Sequence, residues 1–76
     1  MDRALVFEHL EQARRHVAEG AAHVRRQRGI VAWLDAHGLD ASIARDLLAT
    51  YERILVVHTA DRDRLIKELA ENPWRT

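Results

Sequence analysis

Leu10, Val17, Val24 and Val31 recur every seven residues, and Val6, Ala13, Gly20, Gln27 and Leu34 fill the turns between them. Seven residues make two helical turns, so such a row keeps to one side of an α-helix and winds gently round whatever it packs against. A second row of the same period, Ala44, Tyr51, His58 and Leu65, follows, with Leu47, Leu48, Ile54, Leu55, Arg62 and Leu69 beside it. Strands would alternate sides at every residue, and no useful stretch does so. The pattern predicts an all-α chain.

One interruption separates the rows: AHGLDAS, residues 36 to 42. Gly38 suits the left-handed position just past a helix end, and Leu39 can fold back on the last turn. Asp40 then suits the N-cap of a second helix, its carboxylate accepting amide hydrogens that have no helical partner. A stop and a start this close together predict an αα-hairpin. Its first helix spans about 2–37, the turn about 38–40 and the second helix about 41–71. Pro73 disfavours helical geometry at Asn72 and leaves a short tail, 72–76, in which Trp74 is expected to meet Phe7. The first row keeps its phase through Gly20 and Gly29, so one continuous helix is expected, with a three-helix chain broken at Gly20 as the alternative.

Seventy-six residues make one small domain, and a two-helix hairpin has only one seam to bury. Yet Ile54, Leu55, Val56 and Val57 are apolar all round the second helix, and Ile43 widens their stripe. Ile30 and Trp33 fall outside the stripe of the first. Surfaces of that kind call for a cover, and a second copy is the simplest. The hairpin is therefore expected to dimerise into a four-helix bundle, with Ile30, Trp33, Ile43, Leu47, Ile54, Val56 and Val57 at the interface. For Trp33, packing at the end of a bundle is preferred over a ligand pocket.

Twelve Lys and Arg balance twelve Asp and Glu, which argues against general attraction to nucleic acid. Arg25, Arg26 and Arg28 form a local cluster that reads first as a solvated helix face and second as a contact for an acidic partner. There is no cysteine and no Gly-rich phosphate loop, and Ser42 is the single serine. Thiolate chemistry is thereby excluded, a serine nucleophile gains no support, and no enzyme is expected. Neither a signal peptide nor a spanning segment is evident, so the expected location is cytoplasmic and away from membranes.

His9, His16, His23 and His37 stand seven or fourteen residues apart, just before the core row, with Ile30 completing the series. Such flanking positions are half-buried and commonly carry amphipathic side chains. Matching the helices about the turn, with facing numbers adding to about 78, places His58 opposite Gly20, His16 and His23 a turn to either side, Asp61 near His16 and Tyr51 near Gln27. In that register Gly20 makes room for an imidazole. A polar layer that fixes register is the first reading. A zinc or iron site is the alternative, since His58-x-x-Asp61 has chelating spacing and His16 or His23 could complete a mixed nitrogen and oxygen set. The sequence lacks the Glu-x-x-His pair of di-iron bundles.

From His16 onward the chain resembles a group of short uncharacterised bacterial helical-hairpin proteins. The likeness covers about two thirds of the chain and rests on HVAEGAAHVRRQ (16–27), GLDA (38–41), LLATYE (47–52) and HTADRDRL (58–65). It implies a helical hairpin and brings no activity, cofactor or substrate. Its pattern falls on His16, Gly20, His23, Gln27, His58 and Asp61.

Overall fold

The computed structural model describes residues 2–71. Two helices, α1 (Arg3–Ala36) and α2 (Ser42–Glu71), run antiparallel against each other. Among the described residues there is no strand. Asp2 caps α1, its carboxylate accepting from the Ala4 N–H at 3.3 Å. The helix passes through both Gly20 and Gly29 without a break, so the three-helix alternative does not arise.

Gly38 ends α1 with φ +65°, the left-handed conformation that glycine adopts without steric cost. The Leu39 N–H reaches back to the Leu34 carbonyl at 2.9 Å, and the Gly38 N–H to the Asp35 carbonyl at 3.2 Å. These are the two crossed bonds of a Schellman motif, and they satisfy carbonyls that would otherwise lack donors. On the other side of the turn, the Asp40 carboxylate accepts from the Ser42 N–H at 3.0 Å and the Ser42 hydroxyl at 2.6 Å. The helical ladder itself starts from Ala41, whose carbonyl accepts from the Arg45 N–H at 2.8 Å. Asp40 thus caps from one residue before the predicted position.

The predicted α1 row is the buried row: Val6, Leu10, Ala13, Gly20, Val24 and Gln27 are buried, while Val17, Val31 and Leu34 are half-buried. Val6, Leu10 and Ala13 pack with Leu65 and the half-buried Leu69 at the open end of the hairpin. Toward the turn, Ala41 is buried, and Gln27 reaches across the seam to donate from Nε2 to the Ala44 carbonyl at 3.0 Å. Such a bond removes the penalty of enclosing an amide. The result is a rod of 61 × 14 × 14 Å with a radius of gyration of 17.3 Å. A compact domain of this length would have about 11 Å. One seam cannot enclose the apolar surface that this sequence carries.

The two flanks of the seam differ in kind. On one, Arg28 pairs with Glu52 at 3.7 Å and Arg45 with Asp35 at 2.6 Å, bridging the helices with exposed ion pairs of about 0–1 kcal/mol each. The other carries the histidine series of α1 against a stripe on α2 that steps by four and three residues: Ile43, Leu47, Thr50, Ile54, Val57 and Asp61. That spacing holds one side of a helix.

Candidate functional site

The middle of this second flank is a groove of about 290 Å³ lined by His16, Glu19, Gly20, His23, Tyr51, Ile54 and His58. Its walls are two ring pairs. His16 lies against His58, with ring centroids 4.8 Å apart and planes tilted by 43°. Two turns on, His23 stacks on Tyr51 at 5.3 Å and 15°. Gly20 forms the floor between them. A Cβ there would stand 3.3 Å from Leu55 Cδ1, so glycine lets the α2 backbone come close.

This geometry corrects the register drawn from the turn. Leu55, not His58, covers Gly20, Tyr51 meets His23 rather than Gln27, and Gln27 meets Ala44. Asp61 is drawn to Arg64 on its own helix at 2.5 Å and does not line the groove. The numbers 16 with 58 and 23 with 51 both add to 74, whereas 28 with 52 and 35 with 45 both add to 80. Matching about the turn gives the average of the seam, while side chains on its two flanks are offset in opposite directions along the axis.

Of the four residues considered for metal, the fold therefore brings His16 and His58 into contact, turns His23 onto Tyr51 and leaves Asp61 with Arg64. The Arg26 guanidinium also donates to His23 Nδ1 at 3.2 Å. Glu19 reaches the groove and has chelating spacing to both His16 and His23. Among the described residues, no three His, Cys, Asp or Glu side chains are placed to hold an ion within one chain. The Tyr51 wall was not expected, although the seven-residue interval from Tyr51 to His58 repeats that from His16 to His23.

Beside the groove and on toward the turn, the flank is apolar and open. Ile43 is 85% exposed, Val57 65% and Trp33 56%, with Ile30, Leu47 and Ile54 also exposed. Trp33 stacks on His37 at 4.2 Å, and the His37 Nδ1–H donates to the Trp33 carbonyl at 2.7 Å, which holds the indole against the helix. Val56 departs from this group. It is exposed on the ion-paired flank, in a shallow hollow with Leu55, Thr59, Ala60 and Asp63. Phe7, with the Arg3 guanidinium 5.2 Å from its ring centre, lies at the open end, and its expected partner Trp74 is outside the described residues. No helix among the described residues is long and apolar enough to cross a membrane. No family model, curated protein or solved structure matches the chain.

Proposed function

We propose that the protein is a non-enzymatic, homodimeric interaction module: two hairpins closed into a four-helix bundle through the flank that carries Ile30, Trp33, Ile43, Leu47, Ile54 and Val57. The observation that carries this reading is the contrast between the flanks, one bridged by ion pairs and the other bearing six exposed apolar side chains on both helices. Six large apolar side chains this exposed along one flank form a patch of the kind that marks an interaction surface.

The stripe further suggests how the copies align. Its apolar members occupy the turn half of α2, and Asp61, Arg64 and Glu68 continue it toward the open end with an ion pair between Arg64 and each acid. Apolar surface meets apolar surface when the two turns lie at the same end. The two-fold axis then runs along the rods, and each layer faces its own copy. An isologous contact of this kind closes at two subunits.

Sedimentation equilibrium at micromolar concentration tests the reading. The native chain should be a dimer. Val57→Glu and Ile43→Glu should weaken association at least about tenfold while leaving the helical circular dichroism intact, because neither side chain packs in the hairpin seam. A native chain that stays monomeric, or variants that dimerise as well as it does, would overturn the proposal.

A further inference from the structure

We infer that the groove is half of a metal site, completed by the second copy: a divalent transition-metal ion such as zinc held between two hairpins by His16 and His58 of each. The inference rests on the dimer proposed above, with the turns at one end. Gly20 and Leu55, which floor the groove, stand midway along α1 and α2. In that arrangement the groove of one chain faces the groove of the other across the axis.

The spacing of the rings fits a shared ion. A zinc–nitrogen bond of about 2.1 Å, with a ring nitrogen about 1.1 Å from its ring centre, sets the ion about 3.2 Å from each centroid. A tetrahedral angle then separates two ligand centroids by about 5.2 Å. His16 and His58 lie 4.8 Å apart, close to that separation. They come from different helices, so the fold holds the pair in place rather than one flexible loop. Among the described residues neither ring makes a hydrogen bond.

His23 is already committed, its Nδ1 accepting from Arg26 and its face lying on Tyr51. One chain therefore supplies two nitrogens, whereas a closed zinc site takes four ligands. The second copy supplies the other two. Glu19 of each chain, one turn from His16 on the groove wall, can accept a ligand N–H and orient the ring, as carboxylates behind metal-bound imidazoles do.

The test is calorimetric titration of zinc chloride into untagged, chelator-treated protein, run beside sedimentation with and without the metal. The expected result is one ion per two chains, tighter dimerisation in zinc, and intense tetrahedral absorption bands when cobalt(II) replaces zinc. His16→Gln and His58→Gln should each lower affinity at least tenfold, and His9→Gln, on an exposed residue outside the groove, should leave it unchanged. One ion per chain, or binding that survives both groove substitutions, would overturn the shared site. A dimer that takes up no zinc would overturn it while sparing the interface. A monomer that takes none would overturn both.

Discussion

Two glycines lie inside α1, and the structure assigns them opposite surroundings. A Cβ on Gly29 would meet nothing within 4 Å, whereas one on Gly20 would stand 3.3 Å from Leu55 Cδ1 and 3.8 Å from Leu55 Cβ. Glycine inside a helix costs about 1 kcal/mol relative to alanine. Gly29→Ala should therefore stabilise the fold by about that amount, raising the melting temperature by roughly 4–8 °C for a domain of this size. At Gly20 the same helical gain is offset by moving the Leu55 methyl a few tenths of an ångström. Leu55 is half-buried and the contact is with the end of its side chain, so it can give way. The expected net gain is about 0.5 kcal/mol or less. Urea denaturation followed by far-ultraviolet ellipticity, at one fixed chain concentration, measures both. The decisive step is a double-mutant cycle. In a Leu55→Ala background Gly20→Ala should recover the full gain, and in a His58→Ala background it should not. If His58→Ala releases the restraint instead, the register is the one counted from the turn and the groove is wrongly built. If Gly29→Ala fails to stabilise, α1 is not an open, continuous helix there.

Other substitutions probe the seam and the turn. Gln27→Glu leaves a buried carboxylate facing the Ala44 carbonyl with no hydrogen to donate, and it should cost about 2 kcal/mol at neutral pH, read from the shift of the urea midpoint. Asp40 titrates below its ordinary 3.8, held there first by the Ser42 hydroxyl and then by the Ser42 N–H. A depressed folded-state value means that its stabilisation is present above pH 3.8 and fades as pH falls through the lower value. The gap in urea midpoint between the native chain and Asp40→Ala should accordingly shrink on acidification to below pH 3; a gap that is constant with pH would refute the capping role.

Much of the hairpin was legible in the sequence because each signal was local. The seven-residue row of α1 required only the period, and the buried residues fall on it from Val6 to Gln27. Gly38 was readable because its left-handed conformation has few other occupants. Register was a different problem. Counting from the turn treats the seam as a line, but residues climb the helix axis by about 1.5 Å each as they wind from one flank to the other. Antiparallel neighbours therefore pair at 74 on one flank and 80 on the other, and His58 moves from Gly20 to His16. The fate of Asp61 was equally hidden, because Asp61 has Arg64 three residues away as well as His58 three residues before it, and spacing alone does not rank the two. The apolar flank was legible except for Val56, which the all-round apolar run had grouped with Val57 although one helical step separates them by 100°.

The distribution of packing along the rod has a mechanical consequence. Asp2 and Glu71 lie at the same end of the hairpin, beside the tight Val6, Leu10, Ala13 and Leu65 cluster. Tension applied across those two points would open the seam like a zip, loading one layer at a time rather than shearing all of them together. The firmest layer would be met first. Once it parts, the histidine and tyrosine layers follow with Val24 buried beside them, and the Gln27–Ala44 bond and the Arg45–Asp35 pair are the last to be loaded before Gly38. A rod built this way meets a load one layer at a time, so the force it bears is set by its strongest single layer and not by the sum of them all.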